Sequence, residues 1–361
     1  MNLLCLLNKK TMRIAILGAG FSGLSVAYFL LHYTFGAISI DVYDPEPIGE
    51  GISGLSSGLL HIYPGKEARR SWQGDHCLKD THRLITVASE GIGKSVILSK
   101  GILRPALNQE QLRAFKRCAD SHSDTDWWDY HQCLEKMPGL LLSKESGALY
   151  IKEGLTIDVK GYLQGLWQKL AKFGVQYCQS KLMRKNDLAS YDRILIAIGP
   201  GVTNMALLKG LPIKPVKGQM LELAWPQNIP PLSISLNSSK YLVMSQDRTR
   251  CLVGATFERE FDSSNPDQKK AALEILPEII SFFPMVENAK ILNCRSGLRA
   301  TTPSHLPIAG QATKNIYFMT GLGSKGLLYH GWVGKRVARA IITKNISHIP
   351  KEIYYKFPAS S

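Results

Sequence analysis

The chain has 361 residues, of which 45% are hydrophobic, enough to bury a large core in roughly two to three domain-sized units. Its 44 Lys and Arg against 29 Asp and Glu give a net charge of +15, which fits either an anionic partner such as RNA or a chain with well-solvated lysine faces. No run reaches the roughly 18 to 20 apolar residues that a transmembrane helix needs, so no transmembrane segment is expected.

In chain order, the first stretch, "MNLLCLL", has neither a basic flank before it nor a small-residue cleavage site, and secretion is not expected. "MRIAILGAG" reads like a protein start, which makes Met12 the expected initiator and residues 1–11 an extension. The seven cysteines, at 5, 77, 118, 133, 178, 251 and 294, are scattered without a CxxC pair. That usage points to a reducing, cytoplasmic compartment and to no metal site.

The first informative element is "IAILGAGFSGLSVAYFL" (14–30): a short apolar strand, glycines at 18, 20 and 23, and a helix-spaced apolar segment. Glycine is needed where the chain bends, where backbone approaches a pyrophosphate, and where the helix packs closely on the strand. The amides of Phe21 and Ser22 then face the phosphates with the positive helix end behind them. "ISIDVYD" follows as a second strand ending in Asp44, 21 residues after Gly23, where an acid can accept ribose hydroxyls.

NAD and FAD both use such a turn. A nicotinamide dehydrogenase would normally continue with alternating strands and helices, whereas this chain enters the Gly/Ser-rich loop "PIGEGISGLSSGLLHIYPGK" (47–66). Trp127 and Trp128 in "DTDWWDYH" read as packing aromatics that cap a helix pair. The next strand of the same kind, "YDRILIAIGPG" (191–201), ends in a second glycine corner at Gly199. Tyr241 opens a strand, "NPDQKKAALEILPEII" (265–280) reads as a helix, and 315–341 repeats the order strand, glycine turn, helix. Three strand-to-glycine turns from distant parts of the chain suit an elongated dinucleotide lying across a sheet edge, which favours FAD.

These segments resemble the D-amino-acid oxidase (DAO) family of FAD-dependent oxidoreductases, which includes glycine and sarcosine oxidases. The likeness runs through "GISGLSSGLLHIYP" (51–64), "GALYIKEGLTIDVKGYLQGL" (147–166), "DRILIAIGPG" (192–201), "PVKGQM" (215–220), "YLVMSQDRTRCLVGATFE" (241–258), "GLRATTPSHLPIAG" (297–310) and "GLGSKGLLYHG" (321–331). Among its subfamilies, "GLLHIYP", "HLPIAG" and "GLGSKGL" look most like the FAD domain of bifunctional enzymes that modify the tRNA wobble uridine. The resemblance implies an α/β fold: a discontinuous Rossmann-like FAD-binding domain (12–75, 155–210 and 295–345) and an α+β substrate domain with a mixed sheet (76–154 and 211–294). Residues 346–361 would be a C-terminal tail.

By the same resemblance, Gly18, Gly20 and Gly23 would hold the FAD pyrophosphate and Asp44 the adenosine ribose. Ser53, Gly58, Leu59 and Leu60 would line the flavin, and Leu182 or Met183 in "KLMRK" would meet adenine. Gly323, Ser324, Lys325, Gly326 and Leu327 would set a helix N-terminus at the pyrimidine edge of the flavin, where reduction builds negative charge. Lys325 departs from the arginine of related "GSRG" sequences and lacks its bidentate geometry. The cysteine that tethers flavin in sarcosine oxidases would fall at Gly297; Cys294 is out of register, so noncovalent FAD is expected.

Arg299 occupies the place where the family grips a substrate carboxylate, its alternative being an ion pair at the domain junction. His61 and His305 stand as acid–base candidates or packing residues, and Tyr241 as pocket lining or core. The implied chemistry is oxidation of a C–N bond by hydride transfer to flavin N5, followed by hydrolysis of the imine. The substrate would be a small amine or amino acid, such as glycine, sarcosine or a D-amino acid, or a carboxymethylaminomethyl group on tRNA. The electron acceptor stays open, and a non-catalytic, tRNA-binding flavoprotein is the alternative of a different class.

Overall fold

The computed structural model describes residues 11–180 and 188–357 and arranges them around two sheets. The first contains Met12–Leu17 (β1), Ile38–Asp44 (β2), Gln176–Gln179 (β7), Arg193–Ile196 (β8), Ile308–Thr313 (β14) and Ile316–Thr320 (β15). Their order is β14-β15-β8-β1-β2-β7, parallel throughout except for β14. Ile14, Ala15, Ile16, Leu195 and Ile196 are all buried. Helices pack on one face, and Val202, Leu208 and Ile213 with Tyr355 and Phe357 cover the other, so neither face is left for polar residues.

The second sheet contains Leu59–Leu60 (β3), Ile97–Pro105 (β4), Thr125–Asp129 (β5), Gly147–Ile157 (β6), Lys214–Ala224 (β9), Ser235–Asn237 (β10), Tyr241–Met244 (β11), Arg250–Gly254 (β12) and Ile291–Thr301 (β13). It runs β13-β9-β12-β11-β10-β4-β6-β3, with β5 also on β6, and is mixed because β10 and β4 pair in parallel. β9 alternates poorly: Lys217, Gln219 and Glu222 are buried among apolar neighbours. Their partners decide how Arg299 is held, as shown below.

The helices are Phe21–Thr34 (α1), Gly74–Ile92 (α2), Gln109–Ser121 (α3), Tyr130–Lys136 (α4), Val159–Lys172 (α5), Gln268–Ile280 (α6) and Gly326–Thr343 (α7). α1 packs against α7, where Ser25 Oγ donates to the carbonyl of His330 at 3.0 Å. α2, whose residues the sequence assigns to the second domain, packs on α5 and α7, and Thr81 Oγ1 donates to the Leu328 carbonyl at 3.1 Å. α6 covers the second sheet, over a core of Leu221, Leu223, Ile275, Ile279 and Phe282.

Trp127 and Trp128 lie in strand β5 rather than capping a helix pair. Adjacent strand residues point to opposite faces, so Trp128 stacks on Tyr150, with ring centroids 4.3 Å apart, while Trp127 packs against the core on the other side. Among the described residues, no helix is long and apolar enough to cross a membrane.

Candidate active site

Strands β1, β8 and β15 are neighbours in register, Leu17 beside Ile196 and Ile196 beside Phe318. Their C-terminal ends therefore deliver three glycine turns to one edge of the parallel sheet, where ligands of open α/β sheets bind. After β1 comes Gly18, with φ 107°; a Cβ there would stand 2.4 Å from the Ala197 carbonyl oxygen. A Cβ on Gly23 would stand 1.8 Å from the Gly18 carbonyl oxygen, so this position admits only glycine. After β8 comes Gly199, whose carbonyl accepts from Thr320 Oγ1 at 2.9 Å and so ties this turn to the end of β15. After β15 comes the single turn Gly323–Lys325, and then α7.

Helix starts differ in their capping; α2 begins after Gln73 with no side-chain cap but with Asp75 in its first turn. α3, α4, α5 and α6 begin with Asn108, Asp129, Asp158 and Asp267, each side chain accepting a backbone amide of the first turn. α1 and α7 begin at the sheet edge with no side-chain cap and no acid in the first turn. The Phe21 amide meets only the hydroxyl of Ser53, at 3.1 Å. Uncapped amides backed by the helix dipole suit a diphosphate, so the observed backbone fits the dinucleotide expected there.

Asp44 sits at the end of β2 beside this turn, its Oδ2 accepting from the Ala19 amide at 2.7 Å and its Oδ1 from the Glu46 amide at 3.0 Å. Ser53 lies in the short helical turn Ile52–Leu55. Gly58 has φ 79° and backs onto the Ile157 carbonyl, 2.1 Å from where a Cβ would be. Leu59 is half-buried, but Leu60 and Leu327 point into the core, so only their backbone is available to a ligand. Ser324 is exposed, and Leu182 and Met183 lie outside the described residues.

Lys325 is half-buried, with its ammonium 5.7 Å from the centre of the Tyr329 ring. Among the described residues no carboxylate pairs with it, and burial lowers its pKa. Beneath the helix starts lies His330, fully buried and overlooked in the sequence because "LLYHG" reads as apolar helix. Its Nδ1 contacts the Gly326 carbonyl at 3.1 Å and its Nε2 the Tyr162 hydroxyl. These partners define a neutral ring that donates from Nδ1, and burial brings its pKa down to about 4.

Strand β13 passes beside the turns at 52–55, 199–204 and 323–325, which places Arg299 next to this edge. Arg299 is half-buried, and burial lowers its pKa. Its Nη1 donates to the Thr256 carbonyl at 3.2 Å, and no carboxylate pairs with it among the described residues. The ion pair considered as its alternative role is therefore not formed within the described chain. Tyr241 points at Gly254, where a Cβ would stand 2.8 Å from its hydroxyl; burial, opposed by the Arg299 charge, raises its pKa to about 12.

Of the two histidine candidates, His305 is exposed in the turn after β13, with φ 55°. His61 Nδ1 accepts from the Tyr63 amide at 3.2 Å, and its Nε2 lies 2.9 Å from the Asn237 side-chain amide. Burial, helped by the Arg104 charge, brings the His61 pKa down to about 3, so the ring stays neutral and its Nδ1 is already engaged. Gly218 and Thr256, the residues that touch the Arg299 guanidinium, carried no distinguishing signal within "PVKGQM" and "GATFE".

A family model described as "FAD dependent oxidoreductase" (DAO) matches residues 13–340. The chain is 26% identical over 329 residues to the tRNA 5-methylaminomethyl-2-thiouridine biosynthesis bifunctional protein MnmC of Idiomarina loihiensis, covering 87% of this chain and 53% of that protein. It thus spans about half the length of that relative. It is 23% identical over 337 residues to a putative thiamine biosynthesis oxidoreductase ThiO of Rhizobium etli, covering 92% of this chain and 97% of the relative. Its fold is that of glycine oxidase from Geobacillus kaustophilus, with a TM-score of 0.77 and 19% identity over 95% of this chain and 97% of the other.

Proposed function

Starting from the membership of this chain in the DAO family of FAD-dependent oxidoreductases, which act on amines and amino acids, we propose that it oxidises the C–N bond of a carboxylate-bearing amine. The observation that carries this reading is Arg299: a half-buried guanidinium on a strand that passes the turns at 52–55, 199–204 and 323–325, with no carboxylate paired to it among the described residues. A guanidinium fork makes two parallel hydrogen bonds to a carboxylate, which fixes both position and orientation.

In this reading the amides around Gly18, Gly20, Phe21, Ser22 and Gly23 receive the FAD diphosphate and Asp44 the adenosine ribose. The backbone of Ser53, Gly58, Leu59 and Leu60, the Gly199 corner, and the 323–327 turn meet the rest of the cofactor. When bound, FAD supplies the hydride acceptor. Cys294 lies on β13 with its thiol 3.9 Å from Gln219 Oε1, and it is not assigned as a tether.

Arg299 holds the carboxylate, and Tyr241 lines the same side. The substrate loses a hydride from the carbon beside nitrogen and a proton from nitrogen, and water opens the resulting C=N bond. His61 is not assigned as the base, because burial brings its pKa down to about 3, which makes the ring a poor proton acceptor, and its Nδ1 is already engaged. Lys325 and the uncapped start of α7 place positive potential where negative charge develops.

We assign the amine to a carboxymethylaminomethyl group on a tRNA wobble uridine, supported by the tRNA-modifying relative and the net charge of +15. The second reading, oxidation of free glycine, sarcosine or a D-amino acid, is supported by the near full-length match to ThiO. Expression in a host lacking the modification step, followed by mass spectrometry of wobble uridines, separates them. The tRNA reading expects the carboxymethylaminomethyl form to become the aminomethyl form. An unchanged nucleoside profile, together with turnover of a free amino acid, would move the assignment to small molecules.

A further inference from the structure

Arg299 is held by groups on other strands. In the pairing of β13 with β9, Gly297 stands opposite Gly218. A Cβ on Gly218 would fall 2.3 Å from Arg299 Nη2, 2.4 Å from its Cζ and 2.6 Å from its Nη1. Three guanidinium atoms equally close to one missing carbon mean that the plane of the group lies flat on the Gly218 backbone. Any larger residue would occupy that space.

The Thr256 carbonyl, which accepts from Nη1, is itself fixed on every side. Its amide donates to the Gln219 carbonyl at 3.0 Å, and its hydroxyl accepts from the Gln219 amide at 2.9 Å and donates to Glu258 Oε1 at 2.8 Å. Glu258 also accepts from Gln219 Nε2 at 2.9 Å and pairs with Lys270 at 2.7 Å. Its backbone forms a two-way bridge with Lys217, both hydrogen bonds measuring 2.9 Å. Gln219 and Thr256 are fully buried and Glu258 is 8% exposed. A buried carboxylate with so many partners is a rigid anchor, since loss of any one leaves another polar group unpaired.

We propose that Gly218 and Thr256, anchored through Glu258, form a seat that positions the Arg299 guanidinium and thereby sets the affinity for a substrate carboxylate. Gly218, Thr256 and Glu258 are positioning residues: they act through Arg299 and reach no substrate themselves. The seat uses one of the five N–H donors of the guanidinium on Thr256, leaving the others for the ligand. This inference rests on the reading of Arg299 as the carboxylate partner.

The test titrates the FAD-loaded protein with acetate and with its neutral counterpart acetamide, followed by flavin absorbance and calorimetry. Gly218→Ala is expected to weaken acetate binding by about tenfold or more while sparing acetamide, because displacement of a positioning group by about 1 Å can cost about 100-fold. FAD content should be kept, since the added methyl meets the end of a flexible side chain. Thr256→Val should weaken acetate in the same way and Thr256→Ser should restore it, and this pair decides the matter should Gly218→Ala not fold. With an oxidisable carboxylate-bearing amine, the loss should fall on KM rather than kcat. Acetate binding unchanged in Gly218→Ala and Thr256→Val, but lost in Arg299→Ala, would overturn the seat alone. Acetate binding absent from the wild type, or unchanged in Arg299→Ala, would overturn the reading of Arg299 and the seat with it.

Discussion

The backbone amide of Ala19 donates to Asp44 Oδ2 at 2.7 Å, joining the glycine turn after β1 to the end of β2 across 25 positions of sequence. The carboxylate is thus fixed before any ligand arrives, and a fixed acceptor binds at lower entropic cost. Asp44→Ala is expected to weaken FAD by about tenfold or more and to lower the melting temperature of the apoprotein, because a hydrogen bond to a charged group contributes about 1.5 to 3 kcal/mol. Quenching of flavin fluorescence gives the affinity, and an unchanged Kd would remove Asp44 from the cofactor site.

His330 gives the stability a defined pH dependence. Its ring is neutral and fully buried in the fold with a pKa near 4, while an unfolded histidine titrates near 6.5. Between those values the unfolded chain binds more protons, so stability is full above about pH 6.5 and is lost as pH falls toward 4. The linked contribution is on the order of 3 kcal/mol. Melting temperatures of wild type and His330→Phe across pH 4 to 8 should converge at the acid end; parallel curves would contradict this.

Lys325 carries a half-buried positive charge at the start of α7 without an acidic partner among the described residues. Lys325→Gln is expected to keep FAD and to lower the flavin reduction potential, because the cation favours the reduced, negatively charged form. Equilibration with a redox dye reads the shift. An unmoved potential would leave Lys325 with packing on Tyr329 alone.

The parts of the fold that follow from short-range rules were legible in the sequence. Gly18 and Gly23, where a Cβ would meet backbone, and Gly20, where it would meet Ser53 Oγ, mark with Asp44 the order strand, turn, helix and strand. The Gly199 and Gly323 turns were legible for a different reason: each takes φ 57°, a left-handed conformation that favours glycine. Trp127 and Trp128 were misread: β5 gains its strand character from pairing with β6, a contact the local pattern does not contain. The seat under Arg299 was invisible, because Gly218 and Thr256 matter only once β9, β13 and the segment after β12 lie side by side. His330 was hidden by an apolar helix whose burial, not its pattern, sets the protonation of the ring.

The central claim is that Arg299 holds the carboxylate of an amine that is oxidised at its C–N bond. The most direct measurement mixes FAD-loaded wild type and Arg299→Ala anaerobically with glycine, sarcosine, D-alanine or tRNA bearing the carboxymethylaminomethyl group, and follows flavin bleaching. The account predicts bleaching by at least one of these in the wild type, and kcat/KM for it roughly 100-fold or more lower in Arg299→Ala at unchanged FAD content, since a desolvated bidentate contact is worth several kcal/mol. Equal bleaching rates in the two proteins, or none with any carboxylate-bearing amine, would contradict it.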